Sequence, residues 1–300
     1  MKHVTESQQF SRELIGDLFS RAKVFEDGGG GTPLKGKILA SLFYEPSTRT
    51  RFSFESAMLR LGGAVLSTEN AHEFSSAAKG ETLEDSVRVI GGYADVIVLR
   101  HSQEGASARA AAISSVPVIN AGDGAGQHPT QALLDLYTIE RELGKIDGLT
   151  VALAGDLKHG RTVRSLAYLL GKYRNVRVRF VSPRALQVCP DIIEYLDRHG
   201  AAHEQTENLE AAVRDVDVLY QTRIQKERFA SPEEYARLKN CYRVDLDLVS
   251  QMPAHAIVMH PLPRTDEIAP EVDSSPSAAY FRQARHGLAV RMALLEHVLG

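Results

Sequence analysis

The sequence has only two cysteines, and they do not form a pattern typical of a metal or redox site. Cys189 and Cys241 lie far apart, and neither belongs to a CxxC pair or stands at a metal-ligand spacing. We expect free thiols in a reducing compartment, with a single disulfide as the alternative. The sequence therefore predicts neither a metal ion nor a cofactor.

Signals for export and for membrane insertion are also missing. The segment MKHVTESQQF has no apolar stretch of the kind found in secretory signals. No run of about 18 apolar residues without charges is present to span a bilayer. These observations predict a cytoplasmic protein that does not interact with membranes.

The sequence has no excess of positive charge and no common nucleotide-binding motif. Its net charge is −3, whereas nucleic-acid-binding proteins usually carry an excess of Lys and Arg. Neither GxxxxGK[ST] nor GxGxxG occurs. We therefore expect no nucleic-acid partner, while a local cationic pocket for a small anion remains compatible with the composition.

Short apolar runs alternate with helical patterns along the 300 residues. The near-continuous apolar character of the runs predicts strands that helices cover on both faces. The predicted strands are 37–44, 94–100, 116–120, 149–155, 176–182, 217–223 and 256–260, and the predicted helices are 52–61, 130–143, 161–171 and 184–199. This alternation predicts an α/β fold with two domains, each a parallel sheet flanked by helices. We place one domain at residues 1–129 plus 286–300 and the other at 130–285.

Polar and cationic residues follow most of the predicted strands. Ligands of open parallel sheets bind outside the carboxyl ends of the strands. The segments that follow or end these strands include PSTRTR, Arg100, AGDGAGQHPTQ, DLKHGR, Arg223 and PLPR. We therefore expect an active site between the two domains, at the carboxyl ends of the strands.

The segment Ser47–Thr48–Arg49–Thr50 lies between a predicted strand and a predicted helix. The first N–H groups of a helix have no intrahelical partner and attract anions, and an arginine can bind phosphate through two parallel hydrogen bonds. The segment therefore predicts a phosphate site, with an N-capped helix carrying exposed arginines as the alternative. We expect Arg51, which lies about one turn into the helix, to pair with Glu55 or with a neighbouring loop.

Three further groups of residues are candidates for ligand binding. His128 could polarise a carbonyl and Gln131 could bind an amide-like NH2 group, or the histidine could simply cap its helix. Arg161, Arg223 and Gln225 could bind the two carboxylates of a dicarboxylate, or each arginine could form a surface ion pair. The segment SSAAKGET (75–82) carries one lysine in what could also be an ordinary surface loop.

Six motifs together identify a family. STRTRFSFE, SSAAKGET, HPTQ, GDLKHGRT, TRIQKER and HPLPR occur in this order, and the chain resembles the aspartate/ornithine carbamoyltransferase family over nearly its whole length. HPLPR and the lysine-bearing loop resemble the aspartate branch. The ornithine branch typically carries HCLP and an SMG motif, whereas position 261 is Pro261 here and SMG does not occur.

The resemblance implies a role for each matched position. The implied carbamoyl phosphate ligands are Ser47, Thr48, Arg49, Thr50, Ser75, Lys79, Arg100, His128, Gln131, Pro261 and Leu262; the implied aspartate ligands are Lys79, Arg161, Arg223, Gln225 and Leu262. The implied catalytic residues are Arg49, Thr50, Lys79, Arg100 and His128, with Glu45, Asp156, His159 and Arg264 as supporting residues. The first domain would then bind carbamoyl phosphate and the second L-aspartate.

The resemblance also implies an assembly. Ser75 and Lys79 resemble a loop that reaches into the neighbouring subunit's site, so a homotrimer with shared active sites is expected. A regulatory chain or a dihydroorotase is a possible further partner. The alternatives are a carbamoyltransferase for another amine, such as ornithine, and a non-catalytic anion-binding relative.

Overall fold

The computed structural model describes residues 1–69, 80–224, 231, 233, 235, 238–239 and 241–300. The chain forms two compact units, which are Met1–Leu133 with Arg285–Gly300, and Leu134–Ala284. Both divisions fall within helices. The functional domain boundaries that we placed at 129/130 and 285/286 stay predictions.

The first unit is built on a four-stranded sheet in the order β2-β1-β3-β4, with every pair of neighbours parallel. Its strands are β1 (Ile38–Phe43), β2 (Ala64–Glu69), β3 (Val96–His101) and β4 (Val118–Asp123). Its helices are α1 (Arg12–Glu26), α2 (Thr48–Arg60), α3 (Leu83–Ile90) and α4 (Ala106–Ile113), and α5 (Pro129–Leu143) begins here. Apolar residues of β1, β3, α3 and α4 form one buried cluster.

The second unit is built on a five-stranded sheet in the order β7-β6-β5-β8-β9, also parallel throughout. Its strands are β5 (Thr150–Ala154), β6 (Arg177–Val181), β7 (Ala202–Thr206), β8 (Val218–Gln221) and β9 (Ile257–Met259). Its helices are α6 (Arg161–Leu170), α7 (Pro190–Arg198), α8 (Leu209–Ala212) and α9 (Leu246–Ser250), and the chain returns to the first unit through α10 (Tyr280–Leu299).

The predicted α/β fold with two parallel sheets flanked by helices is confirmed, and each of the seven predicted strands is present. Two strands were missed. Neither β2 nor β7 contains a buried residue, and each lies at the edge of its sheet. The search for continuous apolar runs could not find them, because these two strands are only partly covered, whereas the other two edge strands, β4 and β9, are buried throughout.

The predicted helices differ from the structure mainly at their ends. Helix α2 begins at Thr48, four residues before the predicted start, so it includes most of the STRTR segment. The predicted helix 184–199 is interrupted: a 3-10 turn covers Arg184–Leu186, and α7 begins at Pro190. Proline favours the first position of a helix and disfavours a helical residue before it, which explains the break. No helix in the described part of the chain is long and apolar enough to cross a membrane.

Candidate active site

The Ser47–Thr50 segment forms the entry into α2. Ser47 is the N-cap residue, and its side chain makes no capping hydrogen bond within the described residues. Its carbonyl oxygen accepts the Arg51 N–H at 3.1 Å. The N–H groups of Thr48, Arg49 and Thr50 therefore lie in the first turn, at the positive end of the helix dipole. Arg49 is exposed, whereas Thr50 is buried. This geometry suits the binding of an anion.

Arg51 is committed to the scaffold of the first unit. Its Nη2 lies 2.8 Å from Oε2 of Glu69 on β2, and its Nη1 lies 3.4 Å from Oγ of Ser67. The predicted partner Glu55 was wrong: its carboxylate instead accepts a hydrogen bond from Ser67 at 2.6 Å. Arg51 thus ties the first turn of α2 to an edge strand that the sequence did not reveal.

Arg100 lies near the carboxyl end of β3, beside the last residue of β1. It is in register with Phe43, and its carbonyl oxygen accepts the Tyr44 N–H at 2.9 Å. Its guanidinium contacts Glu45 Oε2 at 3.2 Å and the Ala121 carbonyl oxygen at 3.3 Å. The strand order reverses direction between β1 and β3, and crevices at such points are the usual binding sites of open α/β sheets.

His128 is buried immediately before α5. Its carbonyl oxygen accepts the N–H groups of Gln131 and Ala132, at 3.0 and 3.1 Å, which starts the helix. Its Nδ1 lies 3.5 Å from Oγ1 of Thr130. The buried Gln131 lies in the same first turn. The chain thus holds a buried imidazole and a buried amide at one helix start.

The loop before His128 is fixed by Asp123, a residue that sequence reasoning missed. One carboxylate oxygen accepts the N–H of Gln127 at 3.0 Å and the side-chain amide of Asn120 at 3.1 Å. The other accepts Gly105 N–H at 3.1 Å and Ser107 Oγ at 3.0 Å. Asp123 therefore joins the segment after β3 to the segment after β4. The QHPTQ motif carries no signal for this role.

In the second unit the strand order reverses between β5 and β8. The segments that follow these two strands lie so close together that a Cβ on Gly155 would be 2.3 Å from the Thr222 carbonyl oxygen. Gly155 also has a φ of +118°, which residues with a side chain rarely adopt. The buried Asp156 accepts the His159 N–H at 3.0 Å. Two half-buried arginines follow these strands, Arg161 at the start of α6 and Arg223 after β8.

The segment after β9 contains Leu262, which has a left-handed φ of +54°. Its N–H donates to Nδ1 of His260 at 2.7 Å, and Nε2 of His260 lies 2.8 Å from Oε1 of Glu267. Burial raises the pKa of the Glu267 carboxyl, but hydrogen bonds from His260 and Thr265 outweigh it and lower that pKa to about 2. Glu267 was not predicted, since nothing in the local sequence distinguishes it from a surface glutamate.

Arg264 is held by its own unit. Its guanidinium pairs with both carboxylate oxygens of Asp273, with Nη2 to Oδ2 at 2.6 Å, and Nη1 donates to Tyr280 Oη at 3.1 Å. The Asp273 contact holds the pKa of Arg264 above its usual value. Arg264 therefore anchors the far end of the HPLPR segment, consistent with a supporting role.

Three predicted ligands, Ser75, Lys79 and Gln225, lie outside the described residues. The others lie at the carboxyl ends of the strands. Those of the first unit end or follow β1, β3 and β4, and those of the second follow β5, β8 and β9. Within the described ranges, no group of three or more His, Cys, Asp or Glu residues could hold a metal ion. Each unit thus presents arginines and neutral hydrogen-bond donors, which suit anionic ligands.

Comparison with known proteins identifies both parts of the chain. Residues 2–141 match the family description "Aspartate/ornithine carbamoyltransferase, carbamoyl-P binding domain", and residues 147–298 match "Aspartate/ornithine carbamoyltransferase, Asp/Orn binding domain". Aspartate carbamoyltransferase 1 of Pisum sativum is 58% identical over 99% of this chain and 78% of its own length. The catalytic subunit of Methanocaldococcus jannaschii aspartate carbamoyltransferase is 51% identical over 100% and 98% of the two chains.

A solved structure agrees with these relatives. Aspartate transcarbamoylase of Trypanosoma cruzi, in complex with N-(phosphonacetyl)-L-aspartic acid, superposes with a TM-score of 0.94 at 44% identity. The superposition covers 100% of this chain and 96% of the other.

The comparisons also correct the expected location. The relatives from three plants are named chloroplastic. The prediction of a cytoplasmic location was therefore wrong, because a sequence of this kind does not imply that compartment. The absence of an apolar signal in MKHVTESQQF does not distinguish the cytoplasm from a plastid. The two family models together cover nearly the whole chain, so the chain belongs to the aspartate/ornithine carbamoyltransferase family.

Proposed function

We propose that this chain transfers the carbamoyl group of carbamoyl phosphate to the α-amine of L-aspartate. The products are N-carbamoyl-L-aspartate and phosphate, an early step of pyrimidine biosynthesis. Relatives that are 51% and 58% identical are named aspartate carbamoyltransferase. The observation in this chain that carries the proposal is the first turn of α2, with Arg49 and Thr50, at the same strand-order reversal as Arg100.

The phosphate is proposed to bind at the start of α2. The first N–H groups of the helix and the hydroxyls of Ser47, Thr48 and Thr50 supply hydrogen bonds, and Arg49 supplies a planar guanidinium. Lys79 is proposed to add a second cation. The leaving phosphate is then paired before the reaction begins, so its departure requires little rearrangement of the site.

The carbamoyl group is proposed to be oriented by three donors and by backbone carbonyls. Thr50, Arg100 and His128 donate to its carbonyl oxygen, while Gln131 and the carbonyl oxygens of Pro261 and Leu262 accept from its amino group. Negative charge grows on the carbonyl oxygen as the amine attacks. Each donor to such an oxygen is typically worth about 2.7–4 kcal/mol of transition-state stabilisation.

L-Aspartate is proposed to be held through its carboxylates by Arg161, Arg223 and Gln225. The α-amine nitrogen attacks the carbamoyl carbon, a new C–N bond forms, and the bond from that carbon to the phosphate oxygen breaks. The departing phosphate accepts the proton that the amine loses. The reaction therefore needs no strong side-chain base, in agreement with a sequence that has no Ser-His-Asp signature.

The active unit is proposed to be a homotrimer. Ser75 and Lys79 would enter the site of a neighbouring subunit, and this part of the proposal rests on the resemblance of SSAAKGET to the corresponding family loop.

The identity of the acceptor separates this proposal from its main rival. Ornithine carries a cationic side chain and would favour carboxylates in the second unit, whereas the candidate acceptor ligands here are two arginines and a glutamine. The test measures radiolabelled carbamoyl transfer to L-aspartate and to L-ornithine by the purified chain. We expect product with aspartate only. Transfer to ornithine alone would overturn the acceptor assignment, and carbamoyl phosphate binding without transfer to either would indicate a non-catalytic relative.

A further inference from the structure

The backbone of Leu262 adopts a conformation that its sequence does not favour. Leu262 and Asn175 are the non-glycine residues with positive φ among those that the structure describes. Asparagine tolerates this region because its side chain hydrogen-bonds locally, but leucine gains nothing from it. Such a conformation persists only where surrounding contacts determine it. The contacts that determine it therefore shape the peptide that Leu262 presents.

The first of these contacts is the hydrogen bond from Leu262 N–H to Nδ1 of His260. A backbone N–H can only donate, so Nδ1 must be the unprotonated nitrogen of the ring. The proton of a neutral imidazole then lies on Nε2, which faces Oε1 of Glu267 at 2.8 Å. His260 and Glu267 are 1% and 6% exposed, so water does not compete for either contact. Glu267 thereby selects the tautomer that can hold Leu262.

The second oxygen of Glu267 is also occupied. Its Oε2 accepts the Thr265 N–H at 3.1 Å and the Thr265 hydroxyl at 2.9 Å. The carboxylate therefore joins position 260 to position 265, on either side of the turn that contains Leu262. The buried Glu267 carboxylate thus bridges the two sides of this turn.

The backbone of His260 is anchored to the interior of its unit. Its N–H donates to Oε1 of Gln283 at 2.9 Å, and the Gln283 side-chain amide donates to Asp135 at 2.6 Å. The hydroxyl of Tyr220 donates to the other Asp135 oxygen at 2.7 Å. These side chains are almost fully buried and lie on α10, α5 and β8. The network holds His260 in place independently of the turn.

We propose that His260 and Glu267 are positioning residues that set the specificity of this site for the amino group of its carbamoyl donor. By fixing the Leu262 peptide, they aim the carbonyl oxygens of Pro261 and Leu262, which can accept from an NH2 group but gain nothing from a methyl group. The inference rests on the proposed function, since it concerns the same carbamoyl phosphate. It predicts that disturbing His260 weakens carbamoyl phosphate binding while leaving acetyl phosphate, which carries CH3 in place of NH2, unaffected.

Two substitutions separate the two contacts of the imidazole. In His260→Asn the side-chain oxygen stands where Nδ1 stands and can still accept from Leu262, because Asn commonly bonds the N–H two residues ahead. In His260→Gln the amide reaches the position of Nε2 and can still donate to Glu267, but the Leu262 contact is lost. His255→Gln is the matched control, since His255 is exposed and pairs with Asp217 at 2.7 Å in the same unit.

The readouts are the dissociation constants of carbamoyl phosphate and acetyl phosphate, measured by calorimetry, together with the melting temperature. We expect His260→Gln to weaken carbamoyl phosphate binding about tenfold with acetyl phosphate unchanged, and His260→Asn to retain most of the affinity. An equal loss for both phosphates, an equal loss in Asn and Gln variants, or no loss in either would overturn the proposal. The control variant should match wild type throughout.

The design also separates this inference from the proposed function. If the wild-type chain fails to carbamoylate aspartate, the proposed function fails, yet the binding ratio of the two phosphates still tests the positioning role. If a His260 variant does not fold, Glu267→Gln takes its place. A glutamine has one acceptor oxygen in place of two, so it can accept either from Nε2 of His260 or from Thr265 but not from both, and one side of the turn loses its contact. An unchanged ratio of the two dissociation constants in a folded Glu267→Gln protein would then contradict the proposal.

Discussion

Arg100 and Glu45 form an ion pair at the carboxyl ends of β3 and β1, with Nη2 of the arginine 3.2 Å from Oε2 of the glutamate. The Arg100 side chain is 11% exposed, and the Ala121 carbonyl oxygen accepts from its other terminal nitrogen. Two acceptors on two segments therefore define the direction of one guanidinium. An arginine that is held in this way can donate to a ligand without first losing side-chain freedom.

Replacing Glu45 should therefore reduce catalysis by misdirecting Arg100. Glu45→Gln keeps the size of the side chain but removes its charge, and we expect kcat/KM to fall by about 10- to 100-fold, because small displacements of catalytic groups are costly. Steady-state kinetics measures the change. The control is Glu84→Gln, which removes the charge from the more exposed Arg109–Glu84 pair of the same unit and should leave kcat/KM unchanged. Equal effects of the two substitutions would contradict the role given to Glu45.

The two arginines of the STRTR segment should have separable effects. Arg49→Ala removes the proposed phosphate ligand, so activity should be lost while the melting temperature stays that of wild type. Arg51→Ala removes the 2.8 Å contact with Glu69, so stability should fall by up to about 1 kcal/mol. Phosphate affinity, kcat and thermal unfolding of both variants check this. Wild-type turnover by Arg49→Ala would remove the phosphate assignment.

The Glu267 carboxylate should contribute stability that depends on pH. Its pKa in the folded chain is lowered to about 2 from an ordinary value of 4.5. A group with a depressed folded-state pKa contributes fully above its unfolded-state pKa, and the contribution disappears as the pH falls toward the folded-state value. The free-energy gap between wild type and Glu267→Gln should therefore shrink as the pH falls from about 5 to about 3.

Urea unfolding at several pH values measures this gap. Glu271→Gln, which alters an exposed glutamate of the same unit, should show no comparable change with pH. If the free energies of unfolding of wild type and Glu267→Gln change in parallel with pH over this range, the pKa of Glu267 in the folded chain is not lowered.

A shared active site should allow two inactive variants to restore each other. In a trimer whose three subunits all carry Lys79→Ala, or all carry His128→Ala, every site lacks one proposed ligand. In a mixed trimer, a site that takes Lys79 from one chain and His128 from another retains both. We expect partial recovery of activity after dissociation and reassociation of the mixture. No recovery, with mixed trimers demonstrated by sizing and mass, would count against a site shared between subunits.

The buried parts of the fold were predictable, whereas the exposed edges were not. Strands such as β3 are apolar on both faces and stand out in the sequence, but the edge strands β2 and β7 are half-exposed and mixed in composition. Arg51 illustrates the consequence. Its partner Glu69 lies on β2, so the ion pair could not be inferred without that strand.

The positions of the described candidate ligands at the carboxyl ends of the strands were predictable from the sequence, while their roles as ligands stay predictions. The residues that hold these loops in place could not be predicted from the sequence. Asp123 and Glu267 act on loops through contacts that depend on where the backbone turns, and their neighbours in the sequence look like ordinary polar loop residues. Short-range pattern does not report which carboxylate becomes buried.

The central claim is carbamoyl transfer to aspartate, and the most direct test measures both products of the purified wild-type chain in one reaction. With carbamoyl phosphate and L-aspartate present, the account predicts equal amounts of N-carbamoyl-L-aspartate and inorganic phosphate, with phosphate release falling to the uncatalysed rate when aspartate is omitted. Phosphate release without N-carbamoyl-L-aspartate, or no release above the uncatalysed rate, would contradict it.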